Sequence, residues 1–117
     1  VRIESTRKIT LDGAISANGF MSAGPGGWGG SGSGGSIYLL CRAFAGSSTG
    51  ALMAKGGDGL YGGGGGGGRI AVWRVRDDST GSVTNLVTGG LKGTPPSQPG
   101  TIVWGWLPAS GTLLLMR

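Results

Sequence analysis

Histidine is absent from this chain of 117 residues, and cysteine occurs once, at Cys41. Without histidine the commonest acid–base residue and the commonest metal ligand are both missing, so Ser/His/Asp catalysis cannot be built within the chain. A lone cysteine closes no internal disulfide; between Leu39, Leu40 and Ala43 it reads as a small buried hydrophobe. Carboxylates are also few: Glu4, Asp12, Asp58, Asp77 and Asp78. Only the last two adjoin, beside Arg74 and Arg76, where solvated turn residues are expected rather than a pair set for glycoside cleavage. Gly57-Asp58-Gly59 offers calcium one carboxylate, far short of the six to eight oxygens it takes.

Other absences narrow the class further. No apolar run reaches the ~18 residues of a membrane span. Glycine-rich stretches enter strand-like segments rather than helices, and none is followed by the Lys-Ser or Lys-Thr of a phosphate-binding loop. Glycine does not fall at every third position and prolines number five, which excludes collagen. Ten Lys and Arg against five Asp and Glu leave a charge of +5, but the basic residues are scattered and form no stripe along which a nucleic acid could lie. The expectation is therefore no enzyme, no cofactor, no metal, and no specific nucleic-acid partner. The chain opens at Val1 without a signal-like segment and is read as a section of a longer polypeptide.

What is abundant is glycine, 29 of 117 residues, against ~7% in ordinary usage. The run Gly62, Gly63, Gly64, Gly65, Gly66, Gly67 and Gly68 leads straight into R-I-A-V-W at residues 69–73. A similar arm over residues 19–35 leads into S-I-Y-L-L-C at 36–41, and a third, proline-bearing arm over 89–100 leads into T-I-V-W at 101–104. Ahead of the first two arms, Gly13-Ala14-Ile15-Ser16-Ala17-Asn18-Gly19 matches Gly50-Ala51-Leu52-Met53-Ala54-Lys55-Gly56 position for position, and Asn18-Gly19 signals a turn. The third cycle opens on Gly81-Ser82-Val83-Thr84-Asn85, and residues 111–115 read as a fourth opening strand.

The cycles have nearly constant length. Ile15 to Leu52 is 37 residues and Leu52 to Val83 is 31, while Ile37 to Ile70 is 33 and Ile70 to Ile102 is 32. The variation falls in the arms. Such a period predicts a solenoid, an all-β chain of parallel β-helix character in which each turn leans on the next. Helix is disfavoured because the apolar runs are short, glycine-bounded and lack sustained i, i+3, i+4 spacing. The whole chain, 1–117, is then one repetitive section with approximate units 1–35, 36–68, 69–100 and a partial 101–117.

Two apolar rows are expected to form the core by stacking like on like, Ile15/Leu52/Val83 and Ile37/Ile70/Ile102. The arms are expected to pack against one another as polyglycine-II-like segments, with Trp28 and Tyr61 lying on the flat glycine surface. Tyr38, Ala71 and Val103 fall in one stacked row, with Leu40, Trp73 and Trp104 near one another further along. Trp73, Trp104, Trp106 and Arg69 are candidates for a binding surface. With about three turns the core is small and both ends are sticky edges, so stability inside a longer array or assembly is expected.

The residues G-x-I-S-A-N-G, G-G-S-G-S-G-G-S-I-Y-L and G-G-G-G-G-G-R-I-A-V resemble the glycine-rich repeats of large bacterial cell-surface and secreted proteins with parallel β-helix character. The likeness spans residues 8–104; the third cycle departs from it, with Leu86 and Val87 where Asn18-Gly19 stands and no polyglycine run in its arm. It implies export to the cell surface or medium and a structural element of an extracellular fibre, sheath or array, with copies of itself or further repeats as partners. The alternative is an adhesin module that binds carbohydrate, such as cell-surface polysaccharide, through exposed Trp and Arg. A fibre could also arise if one end of the coil matches the other, so that chains stack head to tail without closing.

Overall fold

The computed structural model describes residues 1–22, 29–91 and 97–109. Among them the chain is all-β, with no helix. Eight strands follow in order: β1 (Arg2–Glu4), β2 (Lys8–Leu11), β3 (Ala14–Ser16), β4 (Ser36–Gly46), β5 (Ala51–Met53), β6 (Arg69–Asp77), β7 (Thr84–Leu86) and β8 (Thr101–Trp106). They form two sheets. The larger has the order β1-β4-β6-β8, with β2 also on β4, and the smaller has the order β3-β5-β7. Every pairing is parallel, and from β3 onward the chain crosses from one sheet to the other at each strand.

Hydrophobic alternation sets which side of each strand is inward. In β4 and β6 the residues Ile37, Leu39, Cys41, Ile70 and Val72 point between the sheets and meet Leu11, Phe44, Leu52, Ala54 and Val87 in one apolar core. Side chains at matching positions stack: Ile37 faces Ile70, and Ile70 faces Ile102. Ile37 and Ile70 are essentially inaccessible, whereas Ile102 is 43% exposed because β8 is the edge of the sheet.

The smaller sheet pairs Ile15 with Leu52, but Leu52 faces Asn85 rather than Val83. Val83 lies two residues earlier, on the same side of the chain, and packs on the core near Phe44 and Gly46. Asn85 can occupy the rung because its amide is satisfied on both sides: its Nδ2 donates to the Val83 carbonyl (3.0 Å) and its Oδ1 accepts from Trp104 Nε1 (3.1 Å).

The strands on the larger sheet are longer than their apolar runs suggest. β4 continues past Cys41 through Arg42 to Gly46, because β2 supplies a parallel partner for Ala43 to Gly46. β6 likewise extends to Asp77. Between β1 and β2 the edge bulges: residues 5–7 stand opposite only Cys41 and Arg42. The expected fourth opening strand at 111–115 lies outside the described residues.

Candidate functional site: glycine arms and the tryptophan end

The arms leave the smaller sheet along residues 17–22, 54–60 and 87–91, and return to the larger one along 29–35, 62–68 and 97–100. None of these segments is a strand, yet their backbones are cross-linked with a period of three residues. Gly65 and Gly68 donate to the carbonyls of Gly57 and Ala54 (2.9 and 2.7 Å). Gly32 and Gly35 donate to Phe20 and Ala17 (2.9 and 2.7 Å). The carbonyls of Gly63 and Gly66, again three apart, accept from Ser31 and Gly34 (3.0 and 2.9 Å). Bonds also run to the following turn, Gly67 N–H to the Gln98 carbonyl (2.9 Å) and Gly90 N–H to the Gly65 carbonyl (2.8 Å). Paired in this way, a segment without side chains still satisfies its buried backbone groups.

The same period appears in the space around each glycine. A Cβ at Gly65 would run into the Gly32 carbonyl, one at Gly68 into the Gly35 carbonyl, and one at Gly67 into the Val87 carbonyl, each closer than real Cβ contacts come. Gly64 is nearly as tight, with Ser97 Oγ at 2.8 Å and the Gly90 oxygen at 2.9 Å. At Gly63 nothing lies within 4 Å, and at Gly66 the nearest atom is the Gln98 oxygen at 3.7 Å. None of these residues has a left-handed φ, so the demand for glycine is one of space and not of dihedral angle. Gly19, in the expected Asn18-Gly19 turn, likewise has no left-handed φ. Gly19 abuts the Gly32 carbonyl, and Asn18 Oδ1 accepts from the Lys55 N–H (2.8 Å) in the next turn.

Polar side chains close the arms where glycine cannot. Asp58 Oδ1 accepts from Leu91 N–H (2.8 Å), and Ser31 Oγ accepts from Ser22 N–H (2.9 Å) while donating to the Asp58 carbonyl (2.6 Å). Reading the sequence alone missed these roles, since the polar residues fall at different places in successive arms. Tyr61 is 67% exposed. Trp28 lies outside the described residues.

The tryptophans divide between the two faces of the larger sheet. Trp73 is on the outer face, opposite Leu40 and Gly105, and its ring lies so close over Gly105 that a Cβ there would collide with it. Trp104 is one place out of the expected row: it stacks on Val72, faces inward and meets Phe44 edge-on (centroids 5.1 Å, 84°). Parity is the reason, since Trp104 follows Ile102 by two residues and shares its face. Tyr38, Ala71 and Val103 do pair in sequence across the sheet. Arg69 opens β6, exposed, between Ser36 and Thr101. Trp106 is the most open of the three, at 59%.

Beside Trp106 lies a residue that the expected turn at 74–78 had hidden. Arg74 continues the inward parity of Ile70 and Val72 and is 8% exposed. Its guanidinium sits 3.8 Å from the Trp106 ring centroid and 5.0 Å from that of Trp104. It donates from Nε to Asp77 Oδ2 (2.9 Å) and from Nη1 to the Gly105 carbonyl (3.0 Å). Asp77 and Asp78 are thus engaged rather than simply solvated: Asp78 receives Arg76 Nε (3.0 Å) and faces Lys8 (3.5 Å). Burial acts to raise the Asp77 pKa, but hydrogen bonds from Ser79 and the Arg74 cation outweigh it and hold the carboxyl below its ordinary value. Burial pushes the Cys41 thiol up to about 11, which keeps it protonated and unreactive.

Among the described residues, no three His, Cys, Asp or Glu side chains lie close enough together to hold a metal ion. What the arrangement does is cohere through backbone hydrogen bonds between arms and side chains stacked across parallel strands. No protein family model, curated protein or solved structure matches this chain.

Proposed function

We propose that the chain is a section of parallel β-solenoid whose arms pack as polyglycine-II-like helices, and that it serves as a structural element of an extracellular fibre, sheath or cell-surface array. The observation that carries this reading is the three-residue period shared by the arm hydrogen bonds and the arm contacts. Three residues per turn without internal hydrogen bonds is the geometry of the polyproline-II helix, which glycine adopts with room for close neighbours on every side. Strand alternation between two parallel sheets supports the solenoid in the same way, since each turn supplies the backbone partners of the next. The resemblance to glycine-rich repeats of bacterial surface proteins accords with this role.

The test is the state of the purified chain. Under the structural reading, sedimentation shows concentration-dependent association and electron microscopy shows elongated particles whose repeat matches strand stacking at ~4.8 Å. A chain that stays monomeric at every accessible concentration overturns it. A second reading, an adhesin that binds cell-surface polysaccharide, draws on the exposure of Trp106 and Arg69. Retention of the chain on a polysaccharide column, abolished by Trp106→Ala, would favour that reading.

A further inference from the structure

Two inward rows of the larger sheet run from one edge to the other without meeting a charge. One row is Ile37–Ile70–Ile102, and another is Ile3–Leu39–Val72–Trp104. Arg2 pairs with Tyr38, and Val1 lies just ahead of it, joined to Ser36 and Tyr38 through its amine and carbonyl, so Val1 heads the Ile37 row. The middle members Ile37, Leu39, Ile70 and Val72 are at most 1% exposed, while Val1 (54%) and Ile3 (37%) are open at the β1 edge and Ile102 (43%) at the β8 edge. The Ile37 row therefore has an apolar residue awaiting cover at both ends, and the Leu39 row has one at its β1 end.

The backbone of β8 is prepared in the same sense. Thr101 and Leu107 donate to the Gly68 and Arg74 carbonyls of the preceding turn. N–H groups alternate sides along a strand, so those of Ile102, Trp104 and Trp106 point toward the open edge. Residues 101–106 carry no charge, and on β1 the outward Arg2 and Glu4 neutralise each other as an ion pair. Nothing in either edge repels the other.

We propose that β8 of one copy accepts β1 of a second copy as its next parallel strand. Ile102 then lies beneath Val1, Val103 beneath Arg2 and Trp104 beneath Ile3, and chains stack head to tail. This rests on the structural-element reading and names its contact. The two edges are different surfaces, so the association is heterologous and does not close on itself. It is also short: beyond Glu4 the β1–β2 edge bulges, and Pro108 has no N–H to donate. A filament built this way forms only at high concentration.

Cysteines at Arg2 and Val103 test it. Both side chains face outward, and in the proposed contact their Cα atoms are ~5 Å apart, within disulfide reach. Within one copy β4 and β6 separate them, so no internal bridge can form. The Arg2→Cys/Val103→Cys variant, concentrated and mildly oxidised, should give a ladder of dimers, trimers and higher multimers on a non-reducing gel. Arg2→Cys and Val103→Cys alone should each give no ladder, and Ile102→Glu added to the pair should abolish it. Melting curves matching the parent chain establish that the variants fold. Dimers from Val103→Cys alone would mean edge-to-edge pairing of like strands and would overturn the proposal. Association of the parent chain in sedimentation, without cross-linking of the folded variant, overturns this contact while leaving the structural role standing. A chain that neither associates nor cross-links sinks both and leaves the β8 edge to another strand of the same polypeptide.

Discussion

The guanidinium of Arg74 lies 3.8 Å from the centre of the Trp106 ring, with Asp77 holding its Nε from the side. This contact ties the end of β8 to the end of β6 through a cation that is almost fully buried. Replacing Arg74 by Ala should destabilise the chain by about 3 kcal/mol, since it removes the partner of Asp77 and the packing under Trp106 together. Chemical denaturation of the two proteins at pH 7 measures the difference; equal midpoints would show the contact to be incidental.

The same carboxylate gives a pH dependence with a defined sign. The folded-state pKa of Asp77 is depressed, so its contribution to stability is present above the unfolded value and is lost as pH falls through the folded one. Stability should decline through the acid range below about pH 4, and Asp77→Asn should flatten that decline. A variant whose stability falls with pH as steeply as the parent's would contradict the assignment.

Position within the glycine run decides tolerance. Gly65→Val should prevent folding or destabilise by about 3 kcal/mol or more, because the new side chain occupies the site of the Gly32 carbonyl. Gly63→Val, where nothing lies within 4 Å, should fall within about 0.5 kcal/mol of the parent. Hydrogen exchange offers an independent check. The amides of Gly65, Gly67 and Gly68, all donors to neighbouring segments, should be protected; exchange at unstructured-peptide rates would show the arms to be loose loops.

Ile70 and Ile102 occupy the same row but not the same environment. Ile70→Asp places an unpaired charge in a fully buried site and should unfold the chain. Ile102→Asp, at a position 43% exposed, should leave it folded. Circular dichroism melts of the pair distinguish a core row that ends at β8 from one that does not.

Cys41 should resist thiol reagents at pH 8 in the folded chain and react quickly once denaturant is added, because its sulfur is buried and its pKa is raised to about 11. Fast labelling of the native protein would indicate that β4 opens readily.

Much of the architecture was legible in the order of residues. Short apolar runs of alternating pattern, bounded by glycine and recurring at near-constant spacing, allow parallel strands and leave helix no support. For that reason the Ile37, Ile70 and Ile102 register could be read from spacing alone, and Ile15 could be matched to Leu52. The run at residues 62–68 likewise announced close backbone contact, since no side chain there could supply another reason for order. Its internal grading, with Gly65 and Gly68 closed and Gly63 and Gly66 open, could not be seen, because identical residues acquire different surroundings only when their neighbours are in place.

What tertiary structure alone decided was which residue fills a place when the pattern loosens. Asn85 took the rung expected of Val83 because the Trp104 indole and the Val83 carbonyl together satisfy its amide, a pairing that joins two sheets. Arg74 turned inward, although it is itself charged, because strand parity gave it no other direction and two tryptophans with Asp77 made burial of its charge tolerable. Periodicity by itself determines where strands recur and which face is apolar, since those follow from backbone geometry. Burial of polar groups depends on partners distant in the chain, and only the folded arrangement brings those partners within hydrogen-bonding distance.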